Sequence, residues 1–226
     1  MNSKMRSRTT LLCAIACCFT AAYAEEKSNL PFVPEGFNAS TRIEISAPVE
    51  KVWNTILDFP SYPNWNPFVR HVPEIQPAPF LKSVLTNSRS SVIVDDEDKP
   101  LPLEAQVPQE GRSLRLEVQL PPLPMPVKAD TPGVYLNGQT AHVNITDVLP
   151  TRGRIAWAVV DLPSFALSSK RWSSVLDLGN GKTLYESREV FYGAAVPVLK
   201  FVMESKLNEG FNAQAKALKV FCEDGK

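Results

Sequence analysis

One stretch near the end of this chain limits its fold more than any other feature. The sequence holds 20 prolines, yet between Ala194 and Glu223 only Pro197 occurs, close to the start. Leu199, Met203, Leu207, Phe211, Ala215, Leu218 and Cys222 recur there at helical spacing. Proline removes a ladder hydrogen bond and clashes with the preceding turn, so its scarcity permits a long helix. The spacing gives that helix one wide apolar stripe. Gly210 within it costs about 1 kcal/mol relative to alanine. Such a stripe has to be buried against another layer.

Strands supply that layer. Arg112–Leu120 alternates apolar and polar residues cleanly, as a strand does. Further strands are predicted over 139–149, 154–161, 170–178 and 183–192, with Asn137-Gly138, Gly153 and Gly179-Asn180-Gly181 as turns. Regular spacing with short turns indicates an antiparallel meander. Upstream, Ile43, Ile45 and Ala47 alternate with polar residues in a strand over 42–47. Pro48 opens a helix over 48–58, with Glu50 in its first turn and Val49, Val52, Trp53, Ile56 and Leu57 at helical spacing. The prolines of Phe59–Pro67 allow only a short helical turn. Strands are expected over 68–75 and 83–94.

The N-terminus reads as a cleavable secretory signal peptide over 1–24. Lys4, Arg6 and Arg8 precede an apolar run from Leu11 to Ala22, and Ala22-Tyr23-Ala24 offers the small residues of a cleavage site. That run is shorter than the roughly 20 residues needed to span a bilayer, so no stable membrane span is expected after cleavage. A loose lead over 25–37 follows. Cys13, Cys17 and Cys18 fall in the signal segment, leaving Cys222 alone and reading as a buried thiol. About 200 residues can bury a sufficient core without disulfides. The first 24 residues hold three of the 24 Lys+Arg and none of the 24 Asp+Glu, so the remainder carries 21 − 24 = −3. That balance argues against a nucleic-acid partner. Asp95-Asp96-Glu97-Asp98 reads as a solvated loop. The sequons at Asn38 and Asn144 become candidate glycosylation sites in a secreted or secretory-pathway protein.

Ile43–Trp53, continuing through Leu57–Phe68, resembles the N-terminal signature of the START-like helix-grip proteins, the SRPBCC or polyketide cyclase/dehydrase superfamily. Glu189-Val190-Phe191-Tyr192-Gly193, leading into a helix with Gly210-Phe211-Asn212, is similar too. The resemblance covers about 38–75 and 139–223. It implies an α+β helix-grip fold over 38–224. A curved antiparallel sheet would wrap around a long C-terminal helix, with two short helices after the first strand. It also implies a hydrophobic pocket for a lipid, sterol, quinone or polyketide, and no cofactor. Residues 76–138 depart from compact members in length and proline content, and part of 121–138 is expected as a flap beside the pocket.

Candidate site residues follow from this frame. Trp53, Trp65, Trp157, Phe165, Trp172, Phe191 and Phe211 are expected to line the pocket, with Leu199, Met203 and Leu207 facing it from the helix. Strand alternation lets either Glu186 and Arg188 or Tyr185 and Glu189 point inward. Glu189 shares parity with Phe191, and a buried glutamate there could serve as a general acid or base. Tyr62 and Asn66 are expected at the pocket mouth. With only His71 and His142, no HxxxH pair, no G-x-S-x-G elbow and no glycine-rich phosphate loop, nothing points to a metal or a nucleophile. The leading expectation is a carrier of a small hydrophobic molecule. The alternatives are a cyclase or dehydratase-like enzyme, and a protein-interaction module offering the proline-rich 121–132.

Overall fold

The structure, a computed structural model, describes residues 28–33, 36–73 and 88–224. The segment expected as a signal peptide lies outside them. Nine strands and two α-helices occur in the described residues: β1 Phe37–Ile45, α1 Val49–Leu57, β2 His71–Pro73, β3 Ser88–Ser90, β4 Val92–Val94, β5 Ser113–Gln119, β6 Gly138–Leu149, β7 Arg154–Val159, β8 Ser168–Gly179, β9 Lys182–Tyr192 and α2 Val196–Asp224. A 3-10 helix, Phe59–Asn64, follows α1. Seven strands form one antiparallel sheet in the order β1-β9-β8-β7-β6-β5-β4. With α2 across one face, this is the α+β helix-grip fold.

Most predicted elements appear within a few residues of their expected bounds. β1 begins earlier than expected because it pairs with β9 along its whole length, from Phe37 opposite Phe191 to Ile45 opposite Thr183. The strand expected over 68–75 shrinks to β2 plus a bridge from Val69 to Val118. The strand expected over 83–94 is two short pieces, β3 and β4. Between them the Ser91 N–H donates to the Arg70 carbonyl, while the Ser91 hydroxyl accepts from the Glu117 N–H.

Two glycines fix how the helix meets the sheet. Gly193, at φ 111°, joins β9 to α2, and a Cβ there would lie 2.6 Å from the Ala166 carbonyl oxygen. No side chain fits that turn. The Ala194 and Ala195 N–H groups donate to the carbonyls of Phe165 and Ala166, so the start of α2 is tied to the β7–β8 loop. Within α2, a Cβ on Gly210 would approach the Phe68 ring to 2.6 Å. The missing side chain lets the helix touch that ring. Beyond this point Phe211, Ala215, Leu218 and Cys222 join Ile45, Val52, Ile56 and Phe59 in a closed core.

The expected flap is placed differently. Residues 121–134 cross the face of the sheet away from α2. β5 explains this, because its residues alternate between two buried faces. Leu116 and Val118 point toward α2, whereas Arg115, Glu117 and Gln119 point to the far side. Arg115 there pairs with Asp98 at 3.0 Å and Glu117 at 3.3 Å. Gln119 accepts from the Val134 N–H, and the fully buried Arg70 donates to the carbonyls of Lys128 and Thr131. Leu123 is buried and its N–H is held by the Pro67 carbonyl. The proline-rich segment is held to this face as a strap at Leu123, Lys128 and Thr131, with Pro124, Met125 and Pro126 exposed between them.

Candidate functional site

Between the sheet and the first half of α2 lies a cavity of about 180 Å³. Its wall is apolar on most sides: Leu116 and Val118 from β5, Val143 from β6, Trp157 and Val159 from β7, Phe191 from β9, with Leu199, Met203 and Leu207 from the helix. The apolar row of α2 continues past Leu207 into the closed core, so the second half of the helix holds the fold and the first half roofs the cavity. A larger, more open groove of about 330 Å³ lies elsewhere, between α1 and the β6–β7 turn.

Arg171 and Glu189 are the charged residues on the cavity wall, joined by Ser169. They are cross-strand partners, Arg171 on β8 opposite Glu189 on β9. Arg171 donates from Nε to Ser187 Oγ at 3.1 Å and from Nη2 to Gln214 Oε1 at 2.9 Å. Its guanidinium carbon also lies 4.1 Å from the Phe211 ring centroid and 5.6 Å from that of Trp157. Ring faces attract a cation, most strongly where water is scarce. Ser169 Oγ donates to Glu189 Oε1 at 2.6 Å. Burial pushes the Glu189 carboxyl above its ordinary value, against the opposing pull of Arg171 and of the Ser169 hydrogen bond. The alternate residue Glu186 faces the other way and pairs with Arg42 at 2.8 Å.

The structure therefore brings Trp157, Phe191, Leu199, Met203, Leu207 and Glu189 together around one space. The other expected pocket residues lie elsewhere. Trp53 lines the open groove, because the inward stripe of α1 is Val52 and Ile56. Trp65 is buried against Tyr62 and Phe221, on the closed side of the grip. Phe165 sits on the β7–β8 loop with 80% of its surface exposed. Trp172 has the opposite parity to Arg171, and its ring lies under Lys170. Phe211 backs the site through Arg171 without lining it. Tyr62 and Asn66 are structural: the Tyr62 hydroxyl donates to the Ile56 carbonyl, and Asn66 Oδ1 accepts from the Phe68 and Val69 N–H groups. Asn38 on β1 and Asn144 on β6 are both exposed.

Arg171 and Ser169 were not anticipated. An arginine in a strand reads as solvent-facing, and Ser169-Lys170-Arg171 carries no apolar alternation. The usable signal was register: counting back from the turn at Asn180 sets Arg171 opposite Glu189. Among the described residues no group of His, Cys, Asp and Glu could hold a metal ion. No helix among them is long and apolar enough to cross a membrane.

Residues 37–128 match the family model described as polyketide cyclase / dehydrase and lipid transport. Among solved structures, the chain is similar to a hypothetical protein of Helicobacter pylori (TM-score 0.52, 10% identity, covering 84% of this chain and 91% of that one). It is also similar to the Zhui aromatase/cyclase of Streptomyces sp. R1128 (TM-score 0.50, 14% identity, 83% and 96%). A START superfamily protein of Mycobacterium smegmatis aligns at TM-score 0.49 and 17% identity, over 84% and 100%. No curated protein matches.

Proposed function

We propose, from the premise that this is a START-like helix-grip chain, that it binds a small hydrophobic molecule in the cavity between the sheet and α2. The observation that carries this reading is an apolar space roofed by Leu199, Met203 and Leu207 where the rest of the helix closes onto a solid core. Removing apolar ligand surface from water there is worth about 2.5 kcal/mol for each 100 Å². An apolar engineered cavity of about 150 Å³ accepts benzene, whereas drug-sized ligands need about 300 Å³ or more. The space suits a ligand of one or two rings or a short chain.

The test is native mass spectrometry of protein from its own host, with organic extraction of what co-purifies. A stoichiometric apolar compound, displaced by Met203→Trp, is the expected result. An empty protein that binds no member of a lipid, sterol, quinone and polyketide panel overturns the reading.

A second reading is supported by Glu189. A carboxyl that burial pushes toward its neutral form beside an arginine could protonate or deprotonate a bound substrate, as a cyclase or dehydratase requires. Loss of turnover in Glu189→Gln with ligand affinity kept would distinguish enzyme from carrier. The signal segment and the exposed Asn38 and Asn144 support placing the protein outside the cell or in a secretory lumen. N-terminal sequencing of the host protein tests this, with Glu25 expected as the first residue.

A further inference from the structure

The apolar wall says little about which molecule fits. The polar corner says more. Arg171 is 4% exposed, and among the described residues no carboxylate lies within ion-pair distance of it. Two of its guanidinium nitrogens are used, Nε by Ser187 and Nη2 by Gln214, and both acceptors are neutral. Among the described residues Nη1 has no hydrogen-bond partner. The rings of Phe211, Trp157 and Phe68 lie around the cation. They offer attraction without neutralising its charge. A buried charge without a counter-ion is costly, and supplying the counter-ion recovers much of that cost.

Glu189 is the neighbour across the strand pair and the other charged residue on the wall. The remaining polar groups there, Ser169, Gln139 and Thr140, are uncharged, and the helix contributes only apolar side chains to the lining. With its oxygen Oε1 engaged by Ser169, the carboxyl of Glu189 is left with Oε2. The corner therefore combines one cation with one carboxyl that favours its neutral form. An amine ligand would meet Arg171. A dianion such as a phosphate would place too much negative charge beside Glu189. A neutral ligand would leave the guanidinium charge unbalanced. A carboxylate fits: one oxygen takes a hydrogen bond from Arg171 Nη1, and the other takes the proton of Glu189.

We propose that the ligand is an apolar monocarboxylate, its head on Arg171 and Glu189 and its body along Leu116, Val118, Trp157 and Met203. This rests on the reading of the cavity as a ligand site. The orientation follows from α2: the helix passes Leu199, Met203 and Leu207 before reaching Gln214, which holds Arg171. The head lies at the end toward the closed core and the body toward the start of the helix. Binding places a negative charge beside Glu189, which holds its carboxyl in the protonated form to higher pH. Affinity consequently falls as pH rises above the range where free Glu189 is protonated, even though the ligand itself is fully ionised there.

The experiment is isothermal titration with benzoic, cinnamic, hexanoic and octanoic acids and their primary amides, in two buffers of different ionisation heat, from pH 6 to 8. At least one acid is expected to bind about tenfold or more tightly than its amide, as a charge-assisted hydrogen bond to a buried guanidinium implies. Proton uptake should accompany that binding and disappear in Glu189→Gln, in which the affinity for the acid should no longer change with pH. Arg171→Gln should erase the preference for the acid. Should that variant fail to fold, the acid–amide comparison and Glu189→Gln still decide the matter. Amides binding as tightly as acids, with Met203→Trp abolishing both, would leave the cavity a ligand site and overturn the carboxylate. Binding of no acid at millimolar concentration also overturns it, while the native mass spectrum judges the cavity separately.

Discussion

Gly210 and Phe68 are in contact because one of them has no side chain: a Cβ on Gly210 would come within 2.6 Å of the Phe68 ring. The contact sits where α2 changes from roofing the cavity to sealing the core. Phe68 also lines the cavity and packs at 5.9 Å, centroid to centroid, on Phe211.

Gly210→Ala tests this contact against helix propensity. Propensity alone forecasts a gain of about 1 kcal/mol. Overpacking of a filled site forecasts a loss of about 1–3 kcal/mol, and the rigid ring makes that the expected result. Urea denaturation gives the sign directly, and a stabilised variant would show that helix and ring can separate at little cost.

Phe211 is expected to be the more damaging site. It is fully buried and carries the ring nearest Arg171. Phe211→Ala should cost about 3–5 kcal/mol through the cavity it leaves. Phe211→Leu should cost under about 1.5 kcal/mol for packing, plus about 0.5–2 kcal/mol for the lost ring face. Comparing both in chemical denaturation separates volume from cation attraction. A loss in Phe211→Leu that stays within the packing figure of about 1.5 kcal/mol would remove any special role for the ring.

Glu189 predicts a pH dependence of stability. Its carboxyl lies above the ordinary 4.5 in the folded chain, mainly because burial disfavours its charge. The folded state then holds a proton that the unfolded state releases. This contribution is fully present below 4.5 and is lost as pH rises through the higher folded value. Denaturation midpoints should fall over that window, and the fall should shrink in Glu189→Gln. An unchanged slope in the variant would mean that other groups set it.

Much of this was readable from sequence, and the failures have physical causes. The long helix follows from the periodicity of its apolar stripe, and the strands from β5 onward follow from their alternation and from the turn residues between them. Glu189 could be assigned to the same face as Phe191 by parity. Trp172 misled for the opposite reason: beside the cavity the inward row of β8 is Ser169, Arg171 and Ser173, so the strand's one aromatic residue points outward. The strap was misplaced because the far face of β5 is buried under charge. Arg115 and Glu117 look exposed in sequence, but the Asp98 turn pairs with Arg115, and Arg70 and residues 121–134 lie on the same face.

That strap yields the last prediction. Arg70→Met removes both donors to Lys128 and Thr131. Losing two such hydrogen bonds, at about 1 kcal/mol each, should raise local opening and speed tryptic cleavage after Lys128 by about thirtyfold. Ligand affinity should be unaffected, because the strap and the cavity lie on opposite faces. A parallel loss of affinity would mean that the two faces are mechanically joined through β5.

β5 has a consequence for how such a chain can diverge. Leu116 and Val118 serve one face while Arg115, Glu117 and Gln119 serve the other, and both rows are covered. Single replacements can retune either row, for instance reshaping the cavity at Val118 without touching the strap. Adding or deleting one residue between Ser113 and Gln119 would exchange the rows, turning charge into the cavity and grease toward Arg70. Variation in length is thereby confined to the loops on either side of this strand, where the proline-rich expansion is found, and change within the strand proceeds by substitution alone.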